Sequence, residues 1–186
     1  MVGPTEGRTA ARYTEDLTIP QTCSRAPRVV LDLERPGGDG VGVVRQPARA
    51  RGHRTRAHTA DMIIEAWGPT RKVCLEEAVL GLVGAFVDVR GLAPDSHVRL
   101  TLEPAEDEEI LVALLDEVVY VLDALDAVPV TVSLDERVDG GVSGWFETVP
   151  AASVTITGAV PKGVSRSELY FSQEGGRWRC RVEIDV

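Results

Sequence analysis

Two stretches of this chain repeat apolar residues every three and four positions, and almost everything after the second of them alternates instead. The first runs Leu75, Ala78, Val79, Leu82, Val83 and Phe86, behind a Gly68-Pro69 stop and a Thr70 suited to capping a helix. Gly81 and Gly84 weaken that helix but allow close packing. The second runs Ile110, Leu111, Leu114, Leu115, Val118, Val119, Leu122 and Leu125, a broad apolar stripe. It is preceded by Glu106 to Glu109, four acids where a helix N-terminus favours negative charge. MIIEAW (62–67) and VRLTLE (98–103) read as strands before each helix. After Pro129 the segments VTVSL, Val138 to Val142, ASVTITGAV, ELYFSQ and RWRCRVEIDV read as further strands, separated by glycines and prolines. In the last, Trp178, Cys180, Val182 and Ile184 share one face, and Arg177, Arg179, Arg181, Glu183 and Asp185 the other. Two helical stripes and several one-sided strands must bury one another. The economical solution is an α+β fold, with two helices packed on a mainly antiparallel β-sheet in a single domain.

That pattern begins only near His53. Residues 1–51 mix Pro, Gly and Arg around one short apolar run, Val29 to Leu33, and such composition cannot offset the entropy of ordering. The expected organisation is a disordered or weakly ordered extension over 1–51 and a folded domain over 52–186. No apolar run approaches the roughly 18 residues of a membrane span. No compact basic-then-apolar signal opens the chain. Cys23, Cys74 and Cys180 are an odd, scattered set without CxxC spacing, which fits neither a disulfide framework nor a zinc knuckle. The expected location is the cytoplasm.

Charge narrows the function. Residues 1–51 carry eight arginines against six acids, whereas 52–186 carry twelve Lys/Arg against twenty-three acids, giving −9 for the whole chain. So acidic a domain disfavours tight direct binding of nucleic acid, whose affinity comes from neutralising phosphates with basic groups. Cations or basic protein faces suit it better. Phosphate-binding loops, nucleophile elbows, HExxH and dinucleotide fingerprints are all absent. Of the three histidines, His53 lies at the tail junction and His97 in a Pro-Asp-Ser-His turn, where it reads as an ordinary exposed residue.

What remains is two acids at unusual places: Asp61 at the mouth of the first strand and Asp185 next to the end of the chain. Carboxylates with main-chain oxygens are what a hard divalent cation takes, and Val186 could add its carbonyl or carboxylate. Read locally, Asp61 is equally a turn or cap residue and Asp185 a solvated terminal one.

Taken together, these pieces resemble the archease family. The family's entry motif, HTAD followed by a short strand and glycine, stands here as His58-Thr59-Ala60-Asp61, MIIEAW and Gly68. The following helix matches from Thr70 through Leu75-Glu76-Glu77-Ala78, a second helix with a Leu-Leu centre resembles Glu109 to Tyr120, and the closing VEIDV matches the family's terminal strand. The resemblance departs at Ala57, where the family often has an acid, and at Leu114, where it commonly has tryptophan. It departs again at Lys162 to Ser167, where lysine and a hydroxyl stand without the family's Tyr and His. It implies a non-enzymatic protein cofactor of an RtcB-type RNA ligase, promoting its guanylylation and turnover in tRNA splicing and RNA repair. It further implies a divalent metal ion (Ca²⁺ first, Mg²⁺ or Mn²⁺ otherwise) held by Asp61, Asp185 and the main chain of Val186. His58 and Lys162 are candidate contacts to partner or phosphate, a solvated lysine being the plain alternative for Lys162. Two other functions fit the same acids: a small metal-dependent hydrolase, or a chaperone-like modulator with a structural metal.

Overall fold

The computed structural model describes residues 51–57 and 61–186. The extension expected over 1–51 therefore lies, Arg51 apart, outside the described residues, as does His58. Seven strands and two α-helices follow in the order β1 (Gly52–Ala57), β2 (Asp61–Gly68), α1 (Arg71–Phe86), β3 (Ser96–Leu102), α2 (Asp107–Leu125), β4 (Ala127–Glu136), β5 (Val142–Pro150), β6 (Gly163–Glu174) and β7 (Arg177–Asp185). Every strand pairing is antiparallel, in two sheets: β1-β2-β7-β6 and β3-β5-β4. The α+β expectation holds, with the single sheet divided into two.

The division explains the helices. α1 packs on β1, β2 and β7 of one sheet and on β4 of the other, while α2 packs on β6 of the first and on β3 and β4 of the second. α1 is therefore buried well beyond one stripe, and Glu76 and Glu77 go inside with Leu75, Leu82 and Phe86. A buried carboxylate must be paired or hydrogen-bonded. The two glutamates meet that need on opposite sides: Glu76 Oε1 accepts from the Leu134 N–H of β4 at 3.1 Å. Glu77 receives Arg51 and, at 2.7 Å, His53 Nδ1, both from the other sheet's side. Adjacent residues of one helix thus tie it to both sheets. Gly81 faces β1 and β2, where a Cβ would come within 3.1 Å of His53 and Ile64, so the close approach is realised there, whereas Gly84 faces open space.

Thr70 caps α1 as expected, accepting from the Val73 N–H at 3.2 Å. Thr70→Ala is expected to lower stability by about 1 kcal/mol, read as a small drop in the denaturant midpoint at constant slope. At α2, Asp107, Glu108 and Glu109 occupy the first turn. Arg71 pairs with Asp107 at 2.7 Å, and Arg166 of β6 pairs with Glu109. A register shift between Ser165 and Tyr170 interrupts the β6 ladder around that arginine.

Glu117 sits half-buried on α2, and desolvation raises its pKa from 4.5 to about 7. Between those values the unfolded chain has released a proton that the folded one retains, so stability falls as pH rises through this window. Glu117→Gln removes that penalty. Its thermal midpoint is expected to match the wild type near pH 4 and to exceed it at pH 8.

Three sequence expectations fail. ASVTITGAV is not a ladder strand: Ala151–Ser153 form a 3₁₀ turn, and the rest lies along the end of α1 through the Thr157 N–H to Phe86 carbonyl bond and an isolated bridge from Ile156 to Val87. Val138 to Val142 is the turn joining β4 to β5, closed by the Arg137 N–H on the Gly141 carbonyl at 2.9 Å, with Val138 fully exposed. The strand begins at Val142 and runs to Pro150, a segment the periodicity did not reveal. His97 is exposed as expected, but it stands in β3 rather than in a turn, edge-on to Trp145 at 5.3 Å between ring centroids. β1 is a further strand unforeseen in the sequence, and it begins at Gly52.

Cys74 and Cys180 are buried free thiols. Their mutual hydrogen bonding and burial push the Cys74 thiol upward, which leaves it unreactive. Among the described residues, no helix is long and apolar enough to cross a membrane.

Candidate metal centre

β2 and β7 are neighbours although they come from opposite ends of the folded region, and their register sets Asp61 directly opposite Asp185. The alternation follows from burial. Met62, Ile64 and Ala66 of β2 and Cys180, Val182 and Ile184 of β7 are buried, so Asp61, Ile63, Glu65 and Trp67, with Arg179, Arg181, Glu183 and Asp185, point away from the helices. Both aspartates therefore share the open face of the four-stranded sheet, at one end of it. Asp61 is half-buried and Asp185 exposed.

β6 supplies the third wall. Gly163 pairs with Asp185, and the Lys162 N–H donates to the Asp185 carbonyl at 2.8 Å. A Cβ on Gly163 would meet Asp185 Oδ2 at 3.8 Å, so the carboxylate leans across a position without a side chain. The Val186 side chain packs partly buried against the core, which holds the terminus beside the pair.

Like charges directly opposite one another on a sheet are destabilising. Among the described residues neither Asp61 nor Asp185 enters an ion pair or a side-chain hydrogen bond that would offset this. Two carboxylates and a main-chain oxygen of Val186 would make a hard, all-oxygen donor set, and the residues fit a divalent ion of the calcium or magnesium kind. Among the described residues no group of three or more His, Cys, Asp or Glu side chains is disposed to hold a metal ion. Lys162 is exposed, its backbone rather than its side chain fixing Asp185. His58 lies outside the described residues. His97 and His53 are elsewhere, on β3 and against Glu77.

A small α+β protein with a two-sheet core, whose last strand pairs with its entry strand on an open sheet face, is the class this geometry defines. The sequence pattern of the Archease protein family (MTH1598/TM1083) matches residues 53–186, and the chain belongs to that family. A Mycobacterium tuberculosis protein named probable protein archease is 47% identical over 142 residues, covering 76% of this chain and 78% of that one. Protein archease of Archaeoglobus fulgidus is 32% identical over 131 residues, covering 69% and 95%. Among solved structures, Methanobacterium thermoautotrophicum protein 1598 superposes with a TM-score of 0.60 at 21% identity, over 73% of this chain and 99% of that one. An archease from Thermotoga maritima, described as a possible chaperone, superposes with a TM-score of 0.52 at 19% identity, over 69% and 93%. These two likenesses establish the fold.

Proposed function

We propose that this protein is a non-enzymatic cofactor of an RtcB-type RNA ligase, promoting the ligase's guanylylation and turnover, and that Asp61, Asp185 and the main chain of Val186 hold the divalent ion it needs. The observation that carries this reading is the direct cross-strand opposition of Asp61 and Asp185 at an open sheet end, a repulsive arrangement that a cation would relieve. Calcium is the first candidate, because its coordination is flexible enough for two carboxylates and a main-chain oxygen with the remainder from water or a partner. When bound, such an ion supplies positive charge to phosphate oxygens. The residues have separate tasks. Asp61 and Asp185 carry the negative charge, Val186 anchors the terminus by its apolar side chain, and the Lys162 N–H fixes the backbone of Asp185. His58 and the Lys162 ammonium are candidate contacts to the ligase or to phosphate. The strongly acidic domain suits a basic, RNA-binding surface on the partner, where complementary charge speeds encounter and sets orientation.

The test is ligation of a cleaved RNA with catalytic amounts of the ligase, GTP and Mn²⁺. Added protein is expected to raise the number of turnovers per ligase. Unchanged turnover would refute the reading. A chaperone-like role, as the description of the Thermotoga relative suggests for that protein, would show instead as more soluble ligase with the same turnover per active molecule.

A further inference from the structure

The two sheets end in the edge strands β1, β6, β3 and β4, and an edge with unpaired N–H and C=O groups is a template for another strand. Three of these edges are blunted. β1 is short and carries Arg54 and Arg56, and β6 is broken between Ser165 and Tyr170, with Glu168 at a φ of 50°. On β4, the Leu134 N–H is capped by Glu76 of α1. β3 differs: it pairs with β5 from Ser96 to Leu102 without a register shift, and among the described residues no side chain caps its outer groups.

Which groups β3 turns outward follows from the ladder. The Leu134 N–H points to Glu76, away from β5, and main-chain direction alternates along a strand. Ser133 therefore bonds toward Trp145, Gly144 toward Leu100, and Phe146 toward Val98. His97, Arg99 and Thr101 are left with N–H and C=O groups pointing outward, and among the described residues no hydrogen bond reaches them there. Their side chains lie on the open face, since Leu100, Leu102 and Phe146 are buried on the other. On that face the Arg99 guanidinium lies 4.5 Å from the centroid of the Trp145 ring, and among the described residues it enters no ion pair. A guanidinium stacked on a ring still offers its N–H fork to a carboxylate. Glu103 continues the same alternation one residue past β3; its side chain is 62% exposed, with Arg137 at 3.8 Å.

We propose that β3 is a self-association edge: two copies of this chain pair their β3 strands antiparallel about a two-fold axis at Thr101, fusing their three-stranded sheets. The symmetry makes every contact reciprocal. This register sets Arg99 opposite the partner's Glu103 on both sides of the axis, with Thr101 against Thr101 and Leu100 against the partner's Leu102. Centring on Arg99 would oppose like charges. Centring on His97 would call on Asp95, whose N–H is already bonded to the Thr148 carbonyl. The contact belongs to the other sheet from the Asp61–Asp185 corner, so it goes beyond the ligase reading and does not rest on it.

The test is sedimentation velocity of the full chain at about 150 mM salt, where a Debye length of about 8 Å screens the net charge. A strand-to-strand contact is at the small end of interfaces, so the sedimentation coefficient is expected to climb from monomer towards dimer over about 5–500 µM. Arg99→Glu and Glu103→Arg should each weaken association about tenfold or more. An equal mixture of the two variants should restore it, because the mixed pair again opposes unlike charges. Arg90→Glu makes the same change in net charge at an exposed arginine paired with Asp88, and it should associate like the wild type. Thr101→Pro removes an outward N–H rather than a bond to β5, and it should abolish association while the thermal midpoint moves little. A wild type that stays monomeric throughout, single variants that associate as it does, or a mixture that does not recover would overturn the proposal. So would equal loss in Arg90→Glu, which would make net charge the cause.

Discussion

Asp61→Asn and Asp185→Asn are each expected to abolish calcium binding and ligase stimulation while leaving the metal-free protein as stable as the wild type or slightly more so. The sign follows from the register. The two carboxylates oppose each other across β2 and β7 at the sheet's open end, where removing one charge relieves a repulsion of a few tenths of a kcal/mol. A cation reverses the sign for the wild type alone: at 100-fold excess over its dissociation constant it adds about 2.7 kcal/mol. Thermal melts with and without calcium separate these effects. The wild type should gain several degrees and both variants nothing, with all metal-free melts close together. A variant that melts much earlier without metal would mean that the aspartate is structural.

Phe146→Ala is expected to be the most damaging single change in the core. Phe146 is fully buried at the middle of β5, the central strand of the three-stranded sheet, paired with Val98 on one side and Val132 on the other. Truncating such a phenylalanine costs about 3–5 kcal/mol through lost transfer energy and the residual cavity. That is a large part of the 5–15 kcal/mol that holds a typical domain. Urea unfolding at 25 °C should show the loss as a lower midpoint. The damage should be confined to stability, since β5 contributes nothing to the Asp61–Asp185 corner.

What could be read in the sequence, and what could not, follows from how each segment is buried. α1, α2, β2 and β7 present one-sided apolar patterns, and periodicity finds them. β1 has no such pattern. It is an edge strand reading GHRTRA, and its pairing with β2 is carried by backbone and by arginines facing water. β5 was hidden by Gly144, which weakens a strand reading. In the fold the position has no room for a side chain, since a Cβ would meet the Ser133 carbonyl of β4 at 2.3 Å. ASVTITGAV alternates like a strand but spends its hydrogen bonds on the end of α1, a tertiary choice no local pattern announces.

The candidate site shows the same division. Locally, Asp61 reads as a turn residue and Asp185 as a solvated terminus, and only the archease resemblance pairs them. Their opposition is a property of topology: β2 and β7 are far apart in sequence and adjacent in the sheet. Lys162, a candidate contact through its ammonium group, also has a main-chain part that no local pattern announces: its N–H donates to the Asp185 carbonyl.

The most direct test of the metal centre is a Mn²⁺ titration of the ¹⁵N-labelled protein, following paramagnetic broadening of backbone amides. Broadening is expected first at Asp61, Met62, Lys162, Gly163, Ile184, Asp185 and Val186, with Asp61→Asn abolishing it. Broadening centred on the acidic turn at Glu106 to Glu109, or left unchanged by Asp61→Asn, would contradict the account.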